Sequence, residues 1–301
     1  MKILLVNKYH YVKGGSETYY FGLAKLLTEL GHDVIYFAMA DSHNKSCEQE
    51  KYFVSNVDFN GNISKLQKIK AGFRVLYSFE AKKNISLLIE TEHPDIVHIN
   101  LVHRHITLSI VRAIKKYNIP IVFTIHDLNC VCPNHEMLVN GKVCEKCLHG
   151  EYLNCIKNKC VKGSTAKSTL AAIEAMNYKR MKIYDDIDLY ITPSYFYKKK
   201  LEESGIIHSQ IIHMKNFLPT DTVYSDSNPD KNYLLYFGRI SEEKGVLTLL
   251  KAVEKLNNNI PLIILGTGPM EDEIKEYISS HNLEGKVKML GFKSGNELKK
   301  F

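Results

Sequence analysis

The chain has 301 residues, of which 45% are hydrophobic and 24% are charged, and this composition is typical of a soluble protein with room for about two domains. Its net charge of +7 at pH 7 suits an anionic ligand or an anionic membrane surface as a partner. The sequence has no run of about eighteen apolar residues and no basic stripe interleaved with aromatic residues, so it predicts neither a membrane-spanning helix nor a nucleic-acid partner. Its apolar start is too short for a signal peptide, which predicts a cytoplasmic protein.

The first predicted βα unit carries two adjacent glycines. Residues 3–6 predict a strand and residues 17–30 a helix, with Gly14 and Gly15 in the turn between them. Because glycine has no side chain, this turn would allow the backbone to approach a ligand closely. A steric turn without a ligand is the alternative, and the residues alone do not decide between the two.

A histidine follows the strand predicted over residues 119–125. Doubly wound α/β folds bind ligands outside the carboxyl ends of their strands, so His126 is a candidate ligand-binding side chain. A histidine that only forms a structural hydrogen bond at the strand end is the alternative. His98, His103 and His105 lie on and after the preceding strand, and we expect them to be pocket or surface histidines rather than metal ligands.

Six of the seven cysteines lie within residues 130–160. In a cytosolic protein, a metal explains such a cluster better than disulfides do. Zinc in a tetrahedral site would hold together a loop that is too polar to form its own core. The predicted ligands are Cys144, Cys147, Cys155 and Cys160. Cys132 could replace one of them, and a set of reduced thiols is the alternative to a metal site. A catalytic cysteine is not expected, since no paired base is evident.

The pattern of strands and helices divides the chain into two domains. Residues 1–215 predict a first domain that contains the cysteine-rich insert. Residues 216–232 are polar and contain prolines, which predicts a linker. A second series of βα units starts at residue 233, so residues 233–301 predict a second domain.

The second domain opens with a strand, a turn and an amphipathic helix. Residues 234–237 are a continuous apolar run, which predicts a strand buried on both faces. Gly238 ends the strand, and the turn carries Arg239 and Lys244. The start of a helix offers unpaired N–H groups and a positive dipole end, so the turn and its two cations predict a site for a phosphate or diphosphate. Solvated charges at an ordinary turn are the alternative.

A second strand over residues 261–265 leads into a G-T-G-P turn that contains Gly266 and Gly268, and a third strand follows. Three βα units that each turn at glycine predict a nucleotide-binding domain of the doubly wound type. The combination of strand, G-R, K-G, helix and G-x-G-P resembles the second domain of the family 4 retaining glycosyltransferases. The segment GGSETYYFGLAKLLTELGHDV and the H-D pair after the strand resemble the first domain of the same family.

This resemblance implies the α/β architecture called GT-B, with two Rossmann-like, doubly wound domains that face one another. It implies transfer of a sugar from a nucleotide diphosphate sugar to a hydroxyl group of a sugar or lipid-linked acceptor. The implied catalytic residues are His126, Arg239 and Lys244, and the implied donor-binding residues are Gly14, Gly15, Gly238, Arg239, Lys244, Gly266 and Gly268. His126 would hold the donor sugar. Since protein cations neutralise the leaving diphosphate, no metal cofactor is expected for catalysis.

The cysteine-rich insert resembles a subgroup of these enzymes that is associated with surface polysaccharides. This implies a role in capsule, exopolysaccharide or cell-envelope glycan synthesis, at the inner face of the membrane. The family's second domain continues with further βα units that carry two glutamates eight residues apart, and this chain ends at Phe301 before them. We therefore expect a C-terminally truncated form that is inactive alone. A non-catalytic nucleotide-sugar-binding fragment and a nucleotide-sugar epimerase of the same architecture are the alternatives.

Overall fold

The computed structural model describes residues 1–56, 72, 74–217, 232–257, 260–293 and 295–301. The chain divides into two compact units, Met1–Asp221 (unit 1) and Thr222–Phe301 (unit 2). The division falls within the segment for which a linker is predicted, and residues 218–231 of that segment lie outside the described residues. Among the described helices, none has both the length and the apolar character that crossing a membrane requires.

Unit 1 is built around a parallel sheet. Its strands are β1 (Lys2–Val6), β2 (Asp33–Phe37), β3 (Ile96–Ile99), β4 (Ile121–Thr124), β5 (Leu138–Val139), β6 (Lys142–Val143), β7 (Leu189–Thr192) and β8 (Gln210–His213). Six of them form the parallel sheet in the order β2-β1-β3-β4-β7-β8, and β5 and β6 form a separate antiparallel hairpin. The strand order reverses between β1 and β3, which is where doubly wound folds place their ligands.

The helices of unit 1 cover both faces of this sheet. They are α1 (Gly15–Glu29), α2 (Phe79–Glu92), α3 (Ser109–Lys115), α4 (Leu153–Lys157), α5 (Thr165–Arg180) and α6 (Tyr195–Ser204). Leu4 and Val6 of β1 pack in the same cluster as residues of α2 and α3, whereas Ile3 and Leu5 pack with α1. Because successive side chains of a strand point to opposite faces, this alternation places α1 on one face and α2 and α3 on the other.

Unit 2 has a smaller parallel sheet. Its strands are β9 (Leu234–Phe237), β10 (Leu262–Leu265) and β11 (Val287–Met289), in the order β11-β10-β9, and its helices are α7 (Val246–Glu254), α8 (Glu271–Ser280) and α9 (Gly295–Leu298). Leu262 and Ile264 pack with residues of both α7 and α8, so both helices lie on one face of β10.

The prediction that the strand over residues 234–237 is buried on both faces is wrong. Leu234, Leu235 and Phe237 are 38%, 37% and 63% exposed. The reason is that β9 is the edge strand of the described sheet, and α7 and α8 cover only one face of that sheet.

Candidate active site

The turn between β1 and α1 leaves open space at the start of the helix. Gly14 has an extended backbone (φ −165°, ψ −163°), and α1 begins without a side-chain cap. A Cβ atom added to Gly15 would meet nothing within 4 Å. The fold of unit 1 therefore requires glycine at neither position, and an uncapped helix start with space beside it suits a bound anion.

A buried glutamate fixes this turn to the sheet, and sequence analysis did not single it out. Glu17 is 3% exposed and accepts hydrogen bonds from Asn7 Nδ2 at 3.3 Å and Ser16 Oγ at 3.1 Å. Asn7 follows β1, and its Oδ1 accepts a hydrogen bond from the backbone N–H of Leu101 at 3.1 Å. These bonds join the start of α1 to the carboxyl ends of β1 and β3. The sequence did contain a signal for this role, because Glu17 is a charged residue directly after the G-G-S of the turn.

His126 lies just after the carboxyl end of β4 and is half-buried. Its Nε2 lies 3.0 Å from Asn100 Oδ1, and the Tyr19 ring packs against it edge-on at a centroid distance of 5.1 Å. Burial lowers the pKa of His126 to about 4, although Asp127 acts in the opposite direction. The imidazole is therefore neutral near pH 7. A neutral ring that donates from Nε2 to Asn100 presents Nδ1 as a hydrogen-bond acceptor.

Tyr19 connects His126 to the glycine turn. It is on the first turns of α1, four residues after Gly15, and its hydroxyl lies 3.4 Å from Thr124 Oγ1. Thr124 Oγ1 is also 2.7 Å from Nε2 of His98, whose pKa burial lowers to about 4 with a further contribution from His126. The structure thus brings the turn and His126 to the same edge of the sheet.

A cavity of about 560 Å³ lies near this edge in unit 1, between segments that follow β1, β2 and β3 and the start of α5. We call it the basic cavity, because its described lining residues include several cationic side chains and a single carboxyl group, that of Asp41. The cationic residues are Lys8, Lys13, Arg104, Lys162 and Lys167, and the neutral His105 also lines the cavity.

The Tyr9 ring lies close to two cations of the basic cavity. The ammonium groups of Lys8 and Lys13 are 4.5 Å and 4.1 Å from its centroid, and Lys13 donates a hydrogen bond to its hydroxyl at 3.0 Å. Burial lowers the pKa of Lys8. Crowded, partly desolvated cations of this kind favour an anionic ligand, which offsets their mutual repulsion.

In unit 2, the turn between β9 and α7 presents two exposed cations. A short 3₁₀ turn over Glu242–Lys244 and Gly245 (φ 66°) lead into α7, which has no side-chain cap. Arg239 and Lys244 are exposed, and neither forms an ion pair with any residue that the structure describes. The Ser241 hydroxyl is the main cause of a lowered pKa at Glu243, and Arg239 and Lys244 lower it further.

Gly266 and Gly268 pack directly against that turn. A Cβ atom on Gly266 (φ 143°) would lie 1.8 Å from the carbonyl oxygen of Gly238, and one on Gly268 would lie 2.1 Å from that of Ile240. The backbone of Ile240 also donates to Thr267 O at 3.0 Å. Both glycines are therefore needed for the two loops to pack together. As a result, the predicted donor-binding residues of unit 2 gather at the carboxyl edge of its sheet.

Five cysteines of the insert line one small cavity beside the β5–β6 hairpin. They are Cys132, Cys144, Cys147, Cys155 and Cys160. All seven cysteines are free, and burial raises the pKa of Cys147 and of Cys155 to about 12. Within the described ranges, no three His, Cys, Asp or Glu side chains are already arranged as a metal site. The structure places Cys132 beside the four predicted ligands, and Cys130, which is buried in the core of unit 1, does not line this cavity.

Comparison with known proteins identifies the family. Residues 13–222 match the family model described as Glycosyltransferase Family 4, and residues 221–301 match the one described as Glycosyl transferases group 1. The chain belongs to the family 4 glycosyltransferases. This confirms the resemblance in its broad form and supports a transferase.

Individual relatives agree with this assignment. An uncharacterized glycosyltransferase of Methanocaldococcus jannaschii is 23% identical over 303 residues, which cover 100% of this chain and 69% of the relative. The N-acetylgalactosamine-N,N'-diacetylbacillosaminyl-diphospho-undecaprenol 4-alpha-N-acetylgalactosaminyltransferase of Campylobacter jejuni is 38% identical over 60 residues, which cover 20% of this chain and 16% of the relative.

Solved structures confirm the fold class. The Anabaena protein HepE, in complex with UDP and glucose, is 16% identical and superposes with a TM-score of 0.58, covering 98% of this chain and 70% of the HepE chain. At this level of identity the likeness shows the fold alone. It confirms the predicted α/β GT-B class.

Proposed function

We propose that this glycosyltransferase moves a sugar from a nucleotide diphosphate sugar to a hydroxyl acceptor, with retention of configuration at the anomeric carbon. The observation that carries the proposal is the pair of exposed cations, Arg239 and Lys244, beside the uncapped start of α7. Neither forms an ion pair within 4 Å with a described residue, although both act electrostatically on Glu243, and Lys244 lies directly before the start of α7. A diphosphate would satisfy the two charges and the helix start together.

The chemistry needs positive charge at this turn. When the bond between the anomeric carbon and the phosphate oxygen breaks, negative charge develops on the leaving diphosphate. The Arg239 guanidinium would bind two of its oxygens as a fork, and Lys244 would add a point charge. Interactions that strengthen as the bond breaks raise kcat, because they stabilise the transition state more than the ground state.

His126 would position the donor sugar. Its ring is neutral and is held by Asn100 and Tyr19, so Nδ1 is available to accept a hydrogen bond from a sugar hydroxyl. A fixed acceptor of this kind orients the anomeric carbon without acting as a strong base. The complex of the neighbour HepE with UDP and glucose supports a nucleotide sugar as the donor.

The basic cavity suits an acceptor that carries phosphate groups. Its cations Lys8, Arg104 and Lys162 come from three separate segments and face one space. The printed name of the Campylobacter jejuni relative includes a diphospho-undecaprenol-linked sugar, which supports a lipid-linked acceptor here. Such an acceptor fits a role in capsule, exopolysaccharide or cell-envelope glycan synthesis, with peripheral binding at the inner membrane face.

The experiment is a transfer assay on the full-length protein with labelled UDP-, GDP- and ADP-sugars. Acceptors are a polyprenyl diphosphate-linked sugar and the same sugar without phosphate. We expect transfer to the phosphorylated acceptor, a product of retained anomeric configuration by NMR, and turnover that EDTA does not change. Binding of nucleotide diphosphate without transfer to any acceptor would instead indicate a non-catalytic binding protein.

Variants of the turn test the role of its cations. Lys244→Ala is expected to lower kcat by about 10² to 10³-fold, the effect of losing one preorganised electrostatic donor. Arg239→Lys should also be damaging, since a point charge does not reproduce the fork. Lys251→Ala is the matched control, because Lys251 is an exposed lysine in the last turn of α7. A folded Lys244→Ala protein with normal turnover would overturn the diphosphate assignment.

A further inference from the structure

The small cavity in the insert has the donor chemistry of a zinc site. Its volume is about 10 Å³, roughly the space of one water-sized sphere. Five thiols line it, together with Pro133, asparagines and apolar side chains, and its lining includes no carboxylate and no histidine. Sulfur ligands favour Zn²⁺ or similarly soft cations, whereas Mg²⁺ and Ca²⁺ require oxygen ligands.

The surrounding segment has little regular structure to hold it in place. The hairpin strands β5 and β6 have two residues each, and α4 has five. Val143 in the hairpin is 78% exposed, so the hairpin contributes little to the core. A structural metal supplies the stabilisation that such a segment lacks, because binding free energy adds directly to folding free energy.

The contacts of each thiol distinguish ligands from a non-ligand. Cys144 and Cys147 follow β6 and are separated by two residues, a spacing typical of one half of a zinc site. Cys132 accepts hydrogen bonds from backbone N–H groups of the residues that follow it, and these are the contacts that support a metal-bound thiolate. Cys132 and Cys155 also each donate an S–H: that of Cys132 goes to Oδ1 of Asn134 in its own loop at 3.4 Å, and that of Cys155 goes to the backbone carbonyl oxygen of Ser168 on α5 at 3.9 Å. Cys155 is fully buried and its thiol contacts α5, whereas Cys132 is half-buried in the loop. Cys160 lies in the same cavity and completes a set of four.

We propose that the insert binds one structural Zn²⁺ through Cys132, Cys144, Cys147 and Cys160. Cys132 takes the place of Cys155 in the ligand set expected from spacing, and Cys155 stays a protonated thiol packed on α5. Metal binding draws the four sulfur atoms inward around the cavity.

The proposed zinc site and the basic cavity are connected through residues that lie next to two of the ligands in the chain. Arg104 donates a hydrogen bond at 2.5 Å to the carbonyl oxygen of Pro133, which follows Cys132. Lys162 lies two residues after Cys160, and both Arg104 and Lys162 line the basic cavity. The metal therefore fixes two cationic residues of that cavity. We therefore expect zinc binding to strengthen anion binding in the basic cavity, and we call this effect the coupling. The coupling rests on the proposed acceptor role of the basic cavity. The metal site itself does not depend on that role.

Metal content tests the site directly. The protein is purified under reducing conditions and its zinc is measured by mass spectrometry; we expect one zinc ion per chain. Replacement by Co²⁺ should produce thiolate-to-cobalt charge-transfer bands and the strong d–d bands of a tetrahedral centre. A reduced, folded protein that contains no zinc and gives no such bands with Co²⁺ would overturn the proposal.

Serine variants test the ligand set. Cys132→Ser, Cys144→Ser, Cys147→Ser and Cys160→Ser are each expected to lower zinc occupancy at least tenfold. Cys155→Ser should keep full occupancy, as should Cys47→Ser, a control outside the insert. Cys132→His should also retain zinc, which separates loss of a ligand from failure to fold. Full occupancy in Cys132→Ser, or zinc loss in Cys155→Ser, would overturn this ligand set.

Binding of inorganic diphosphate tests the coupling. The measurement uses a variant that carries both Arg239→Ala and Lys244→Ala, so that neither cation of the unit 2 turn contributes, and compares protein before and after zinc removal by calorimetry. We expect at least tenfold weaker binding without zinc, restored when zinc is added back. Lys162→Ala should weaken binding in the zinc-loaded protein. Equal affinity with and without zinc would overturn the coupling while leaving the metal site and the sugar transfer unaffected.

Discussion

The carboxyl edges of the two sheets satisfy their polar groups in different ways. At the edge of unit 1, Glu17 is bonded to Asn7 and His126 to Asn100, and both partners are fully buried. At the edge of unit 2, Arg239 and Lys244 are exposed and have no ionic partner among the described residues. Unit 1 therefore presents side chains whose orientation is already fixed, whereas unit 2 presents charges that a ligand would neutralise. The fixed side chains of unit 1 are preorganised, which reduces the entropy lost when a ligand binds.

The glycines at the two sheet edges also differ, in whether the packing of the fold requires them. Gly266 and Gly268 are in contact with backbone atoms of the neighbouring loop, so unit 2 needs them in order to fold. Gly14 and Gly15 meet no such constraint within unit 1. Close approach of a ligand to Gly14 and Gly15 stays our prediction, and the open space beside Gly15 is compatible with it.

The largest expected effect is acid destabilisation of unit 1, whose edge contains the buried His98 and the half-buried His103. Burial lowers the pKa of both His98 and His103 from 6.5 to about 4. Between these pH values the unfolded chain binds protons that the folded chain does not, so stability is lost as pH falls from 6.5 towards 4. Each histidine contributes about 3 kcal/mol over that range. Denaturant unfolding at pH 7.5 and pH 5 measures the part of this loss that occurs above pH 5, about 2 kcal/mol for each histidine, and His98→Gln should reduce it. Equal stability at both pH values would contradict the assignment of neutral, buried imidazoles.

The next largest effect is expected at the loop contact of unit 2. Gly266→Ala would place a Cβ atom against the carbonyl of Gly238 and strain a backbone with φ of 143°. We expect a loss of about 3 kcal/mol in the free energy of unfolding, from the backbone strain and the displaced loop. Gly285→Ala is the matched control, because a Cβ atom there meets nothing within 4 Å. Similar unfolding curves for the two variants would show that the loops do not pack as described.

A smaller effect is expected from releasing the His126 ring. Asn100→Ala removes the partner that lies 3.0 Å from His126 Nε2. Turnover of the full-length enzyme should fall by about 10²-fold at most, because a misplaced sugar-binding group costs rate through orientation. The decrease should appear in kcat more than in nucleotide-diphosphate affinity. Asn84→Ala, on α2, serves as the control, and unchanged kcat in Asn100→Ala would show that the fixed ring is unimportant for transfer.

The smallest effect on stability is expected at the glycine turn of unit 1. Gly15→Ala should raise the free energy of unfolding by about 0.5 kcal/mol, since alanine is the better helix former and the added atom meets nothing. The same variant should lose sugar transfer, because the methyl group would occupy the space that we assign to the donor phosphates. A variant that is both more stable and fully active would show that no ligand approaches Gly15.

Sequence patterns predicted many of the local elements and predicted that two candidate site residues, Gly238 and His126, follow strands. The apolar runs before Gly238 and before His126 are strands, and both residues lie at carboxyl edges as expected, because these features depend on short-range periodicity. Burial of the strand that contains Leu234 was predicted wrongly. An apolar run indicates a strand, but only the neighbouring strands and helices determine which of its faces are covered.

Long-range contacts account for what the sequence did not predict. The basic cavity joins Lys8, Arg104 and Lys162, which are far apart in the chain, and each alone is typical of a solvated surface lysine or arginine. The pairing of His126 with Asn100 likewise depends on the register of β3 beside β4. The metal ligands stay a prediction: spacing indicates Cys144, Cys147, Cys155 and Cys160 with Cys132 as a possible replacement, and the fold adds that all five thiols line one cavity.

The exposed apolar side chains of β9 have a consequence for the colloidal behaviour of the chain. Within the part of the chain that the structure describes, β9 has a strand partner on one side only, and its side chains Leu234, Leu235 and Phe237 are exposed, which favours self-association between copies. The net charge of +7 opposes it by mutual repulsion between molecules. Salt screens that repulsion over about 10 Å at 0.1 M and leaves the apolar attraction in place. Solubility of the 301-residue chain should therefore fall as ionic strength rises, the reverse of the salting-in expected for a protein whose surface charges attract one another.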